Sequence, residues 1–147
     1  MSWKDELKKL TGKKTFILCV GNEMKGDDAL GRYVYDNIAT DRKLFAGEMP
    51  ENYISKIRKV DPDVIVIVDA IDFNERPGEI IFSNIEELEG SSLSTHSISL
   101  TVMAKMLPGI KILLLGVQPK ALEFGQKMSV EVKLGGKQII EVLNNLN

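Results

Sequence analysis

Three polar residues in three separate segments have the types and surroundings to do chemistry together: Asp28, Asp69 and His96. Asp28 closes GNEMKGDD, residues 21–28, which follows an apolar run. Asp69 follows five consecutive β-branched residues, Val64 to Val68, and opens onto AID. His96 is the only histidine of the chain and lies in SSLSTHS, residues 91–97. Two carboxylates and one neutral imidazole suit a divalent, borderline-soft metal, and three protein ligands leave coordination positions open for a substrate. Each residue also has a plainer reading. Asp27 can cap a helix and Asp28 can complement its positive N-terminal end. Asp69 can bond to loop amides, and a lone histidine is often a satisfied structural residue. Asp72 suits a turn, or a supporting place behind Asp69. The combination is what points to a site, and its strength depends on whether the fold brings the three segments to one rim.

The elements between these residues predict that it does. Residues 2–10 read as a short amphipathic helix capped by Ser2, with Trp3, Leu7 and Leu10 on one face. Thr15 to Val20 is a nearly unbroken apolar run, as expected of a strand buried on both sides. A helix over 28–38 follows, with Leu30, Tyr33, Val34 and Ile38 at helical spacing. A short strand at Leu44 to Ala46 and a helix from Pro50 to about Lys59 come next, ended by Asp61-Pro62. Further strands are expected at Val64 to Val68, at Ile80 to Phe82 after the Pro77-Gly78 turn, and at Ile110 to Val117. Helices are expected over 98–107, stopped by Pro108-Gly109, and over 129–146, where Val132, Ile139, Leu143 and Leu146 share a side. Gly135-Gly136 interrupts this last helix without a reason visible in the sequence. Strands alternating with helices, and strands apolar throughout, predict one doubly wound α/β domain with a mostly parallel sheet covered on both faces. Such sheets place their ligands beyond the carboxyl ends of the strands. All three candidate residues follow strands or lie in a loop near that rim.

Composition narrows the function classes. The chain has 147 residues, 44% of them hydrophobic and 27% charged, and its net charge is -2. Those values fit a soluble globular protein of one domain. The charges are interspersed, so nucleic acid and anionic membranes are not expected partners. The one cysteine, Cys19, sits in an apolar run and excludes a disulfide within the monomer. The N-terminus lacks the apolar stretch of a signal peptide, and no apolar run is long enough to span a bilayer, so a cytoplasmic location is expected. Gly21 and Gly26 have the outer spacing of a phosphate-binding loop, but Asp27-Asp28 follow where Lys and a hydroxyl residue are needed. Two carboxylates would repel a phosphate, so the loop favours a cation over an anion. A serine or cysteine protease arrangement is not supported, and the H-E-x-x-H pattern is absent.

Four segments together resemble the hydrogenase maturation endopeptidases, which process the large subunits of NiFe-hydrogenases. They are CVGNEMKGDDALG, VIVIVDAID, STHSISL and LLLGVQPKALEFGQKMS, in that order. The resemblance runs from about residue 15 to the C-terminus and leaves 1–14 as an N-terminal helical extension of a single domain spanning 1–147. It implies a three-layer α/β fold with a twisted, mainly parallel five-stranded sheet. It also implies an endopeptidase that removes the C-terminal extension of a nickel-loaded large-subunit precursor; a monomer is expected. Asp28, Asp69 and His96 stand where the family forms its nickel-recognition site, so they are the expected catalytic and metal residues. Some members carry Glu at the first position, and Asp28 is shorter by one methylene. The nickel would come with the substrate, and no tightly bound metal is expected in the resting enzyme. Two other readings use the same crevice: an assembly factor that checks nickel without cutting, and a small-molecule α/β hydrolase.

Overall fold

A computed structural model describes residues 2–88 and 96–146. The expected SSLSTHS loop therefore lies outside the described residues except for its end, His96-Ser97. Five strands form one sheet: β1 Thr15–Cys19, β2 Lys43–Phe45, β3 Val64–Ala70, β4 Ile80–Asn84 and β5 Lys111–Val117. Their spatial order is β2-β1-β3-β5-β4. All neighbours are parallel except β4, which runs antiparallel to β5 along the far edge. The mostly parallel five-stranded sheet expected from the sequence is thus present.

The helices are α1 Trp3–Lys8, α2 Leu30–Asn37, α3 Ile54–Val60, α4 Ser97–Lys105 and α5 Val130–Asn144. Because strand side chains alternate between faces, the central strands feed two separate cores. Ile17, Cys19, Val64, Val66, Val68, Leu113 and Leu115 pack against α1, α2 and α5. Phe16, Leu18, Ile65, Ile67, Ile112 and Leu114 pack against α3 and α4. Every residue of β3 is buried, which explains its unbroken run of β-branched side chains. The N-terminal segment also belongs to this packing, since Leu7 of α1 and Leu10 in the turn after it are buried in the first core. Burying two leucines there contributes roughly 1.5–3 kcal/mol each.

Several boundaries differ from the sequence expectation in a common way. Asp28 lies in a separate 3-10 helix, Gly26–Ala29, ahead of α2, and Pro50–Tyr53 forms another ahead of α3. Each of these tighter turns runs directly into the α-helix that follows it. Asp61 ends α3 in a left-handed conformation at φ 51°, a place that Asp and Asn tolerate. The paired glycines of α5 also find their reason. A Cβ on Gly135 would stand 3.0 Å from the carbonyl oxygen of Gly78, and one on Gly136 would stand 3.0 Å from the Tyr33 ring. Both residues are buried, and their missing side chains let α5 lie close to the β4 approach and to α2. Among the described residues no helix is long and apolar enough to cross a membrane.

Candidate functional site

Three carboxyl-end features of the sheet converge. β1 ends at Cys19, and Gly21 takes φ 138° as the chain turns away. A Cβ at Gly21 would stand 2.2 Å from the carbonyl oxygen of Asp28, so a side chain there would push the loop off the strand end. The backbone N–H of Asn22 then donates to Asp28 Oδ2 at 2.8 Å, fixing that carboxylate against the rim. Asp69 is the sixth residue of β3, opposite Gly116 of β5, and is fully buried. His96 precedes the first turn of α4 and is also buried.

The structure brings these three side chains together. One ligand atom from each of Asp28, Asp69 and His96 lies within 4.8 Å of the others. His96 Nδ1 is 3.2 Å from both carboxylate oxygens of Asp69. On the other side of the ring, Nε2 is 3.7 Å from Asp28 Oδ2. In the neutral ring, a proton on Nδ1 donates to Asp69 and the Nε2 lone pair lies on the Asp28 side, an arrangement that orients a metal-binding imidazole. Burial alone would lower the His96 pKa, but the hydrogen bond and charge of Asp69, with the charges of Asp28 and Glu48, raise it above the ordinary value. Asp28 is pushed up by its burial, against the opposing effects of the Asn22 amide and the His96 charge. Asp28 Oδ1 is buried and finds no hydrogen-bond partner among the described residues. A buried carboxylate oxygen left in that condition is suited to a cation or a donor brought by something else.

The neighbouring acids behave differently. Asp27 does not cap a helix: the residue at the cap of its 3-10 helix is Lys25, which makes no side-chain capping bond. Asp27 instead accepts from the backbone N–H groups of Lys120, Ala121 and Ser129, at 2.7, 3.1 and 2.6 Å, and from the Ser129 hydroxyl at 3.0 Å. It anchors the segment between β5 and α5. Asp72 accepts from the N–H of Asn74 and from Gln118 Nε2, which is the turn role. Sequence reasoning missed two residues. Gln118 is buried and accepts from the N–H groups of Phe73 and Glu75, holding the loop after β3. Glu48 brings Oε1 to 3.8 Å from His96 Nε2. Nothing in its local sequence marks it, because the proximity comes from the fold.

Two carboxylates and an imidazole at the carboxyl rim of a five-stranded α/β sheet define an α/β protein with a potential cation site. The chain belongs to the hydrogenase maturation protease family: the HycI model, described as hydrogenase maturation protease, matches residues 42–145. That match includes Asp69 and His96, while Asp28 precedes it. The Hydrogenase 3 maturation protease of Escherichia coli K12 is 33% identical over 125 residues, covering 80% of this chain and 80% of that protein. The crystal structure of a NiFe hydrogenase maturation protease, HycI from Thermococcus kodakarensis, superposes with a TM-score of 0.75 at 31% identity, covering 95% of this chain and 99% of the other. The solution structure of an endopeptidase HycI from Escherichia coli gives a TM-score of 0.78 at 27% identity, with 89% of each chain covered. Membership of this family makes the protein a peptide hydrolase.

Proposed function

We propose that this peptidase removes the C-terminal extension of a NiFe-hydrogenase large-subunit precursor after nickel insertion, and that Asp28, Asp69 and His96 recognise the nickel. The observation that carries the reading is Asp28 Oδ1, a buried carboxylate oxygen without a partner among the described residues, on the side chain whose other oxygen faces the His96 imidazole. The donor set fits a divalent borderline metal. Asp69 holds the ring through Nδ1 and offers a further carboxylate oxygen nearby. The metal is cargo of the substrate, so the three residues act as added ligands when the precursor docks. Nickel bound there would supply Lewis acidity, or a carboxylate of the site would take the proton of the attacking water, while docking holds the scissile peptide at the rim. Hydrolysis consumes one water, leaves a new carboxylate on the large subunit and releases the tail with a free amine.

The test is to mix the protein with nickel-containing precursor large subunit and to follow the precursor's intact mass. Loss of one C-terminal peptide is expected from the wild type and from neither His96→Ala nor Asp28→Asn, with all three proteins folded. A stable complex with unchanged precursor mass would instead identify a checking factor. Full activity of His96→Ala would overturn the role given to the imidazole.

A further inference from the structure

We propose that Glu48 is a fourth ligand of the cation site, entering from its open side; the proposal rests on the nickel reading above. Its position is built by the backbone. The N–H of Ala46 donates to the carbonyl oxygen of Cys19 at 2.8 Å, and the N–H of Gly21 donates to that of Gly47 at 2.9 Å. A third bond, from Met49 N–H to the Ala46 carbonyl oxygen at 3.3 Å, closes a turn with Gly47 and Glu48 at its centre. The loop after the edge strand β2 is therefore stitched to the end of β1, beside the loop that carries Asp28.

From this turn the Glu48 side chain, 49% exposed, reaches inward until Oε1 is 3.8 Å from His96 Nε2. That exceeds hydrogen-bond length, so the carboxylate is near the ring nitrogen without being bonded to it. Asp28 Oδ2 faces the same nitrogen at 3.7 Å. Nε2 thus looks toward two carboxylates, while Asp69 occupies Nδ1. Three carboxylates around one imidazole repel one another unless a cation or protons intervene. Asp28 Oδ1, which has no partner among the described residues, is an independent sign that something is to be received here. A hollow of about 240 Å³ on the Glu48 side, lined in part by Gly21, Asn22, Met24 and Gly47, leaves this flank open to an approaching chain. Asp28 and Asp69 are buried and fixed, whereas Glu48 has the freedom to close onto an ion that arrives with its carrier.

Calorimetric titration of the full chain with Ni²⁺ up to millimolar concentration tests the assignment, with nickel X-ray absorption to count light-atom neighbours. Glu48→Gln should weaken Ni²⁺ binding about tenfold or more, a loss in the range seen when groups around a metal are altered. Glu48→Ala should show one fewer oxygen neighbour, with an unchanged melting temperature. Unchanged affinity and neighbour count in these variants, with binding abolished in Asp28→Asn, would overturn the role of Glu48 and leave the nickel reading standing. No Ni²⁺ uptake by the wild type at millimolar concentration would overturn the Glu48 assignment, whereas the nickel reading is decided separately by the nickel-dependent processing of the precursor.

Discussion

Asp27 and Asp28 are adjacent in sequence and almost equally hidden, with 1% and 2% of their surface exposed. Their surroundings nevertheless differ completely. The Asp27 carboxylate accepts four hydrogen bonds from the segment between β5 and α5. Among the described residues, Asp28 accepts one from Asn22 and keeps a second oxygen without a partner. The Asp27 region is a latch whose polar groups are satisfied within the chain. The Asp28 region leaves its polar capacity open toward His96 and the rim. Burial of a carboxylate therefore does not distinguish structure from chemistry, but the completeness of its hydrogen bonding does.

The largest effects should separate the two aspartates. Asp28→Asn should reduce precursor processing by about 10³-fold, comparable with loss of a group that stabilises a transition state, while changing unfolding free energy by less than about 1 kcal/mol. Asp27→Asn should do the opposite. It removes the charge from four hydrogen bonds and turns an amide donor toward other donors, so a loss of about 3 kcal/mol is expected. Denaturant midpoints together with a mass-based processing assay check both outcomes. An unfolded Asp28→Asn variant, or a stable Asp27→Asn variant, would erase the distinction.

pH sharpens the same contrast. Burial raises the Asp28 pKa in the fold, so its neutral form is more favoured there than in the unfolded chain. Its contribution to stability is full below the ordinary carboxyl pKa and is lost as pH rises through the raised value. His96 is raised as well, so its contribution is full below about pH 6.5 and fades as pH climbs through its own higher value. The metal-free wild type should therefore lose stability relative to Asp28→Asn as pH increases from about 4 toward and beyond 7. Denaturation curves of both proteins over that range would show it, and a constant difference would contradict the buried-acid account. Binding of the proposed ion should run the other way, since it needs the ionised acid and the neutral ring.

Much of this arrangement was legible in the sequence. The five β-branched residues before Asp69 marked a central strand, and the rule for open parallel sheets then selected Asp69 as a rim residue. Asp28 and His96 stood out by residue type and position near that rim. Glu48 was not legible because β2 follows β1 by more than twenty residues, and only their parallel pairing sets its turn beside Gly21. The Asp27 latch escaped for the same reason: its four donors lie about a hundred residues away. An aspartate at the start of a helix invites a local capping explanation, and here a tertiary one prevails. The glycine pair of α5 was unexplained because helix propensity counts only its disadvantage, not the contact that it permits.

That pair provides a smaller test on the latch side of the molecule, since α5 is capped by Ser129, whose hydroxyl donates to Asp27. A methyl at Gly135 would meet the Gly78 carbonyl oxygen and Val117 at 3.0 Å. Backbone on one side limits relaxation, so overpacking of about 1–3 kcal/mol should exceed the gain of about 1 kcal/mol from replacing a helical glycine by alanine. Gly136 meets side chains instead, those of Tyr33 and Leu30, which can shift. Gly135→Ala should therefore be the more destabilised of the two, by about 1 kcal/mol, when melting temperatures are compared. The reverse order would show that α5 is held less firmly against the β4 approach than its close contact implies.

The smallest effect is expected at Cys19, which a peptidase reading based on residue type alone would inspect first. It ends β1 only two residues before Gly21, yet its thiol is fully buried in the core beneath α2 and α5. Burial pushes the thiol pKa far up; the Lys43 charge pulls it down less, and Asp36 adds to the rise. A thiol kept protonated and away from solvent is a poor nucleophile. Cys19→Ala should retain processing activity within about twofold, since the proposed site lies at the rim and the lost packing is worth only about 1 kcal/mol. Native protein should also keep both its mass and its activity in iodoacetamide, whereas denatured protein takes up one label. Loss of activity on labelling the folded protein would move the chemistry from the carboxylate–imidazole rim to the core strand, and the contrast between satisfied and open carboxylates would no longer locate the active site.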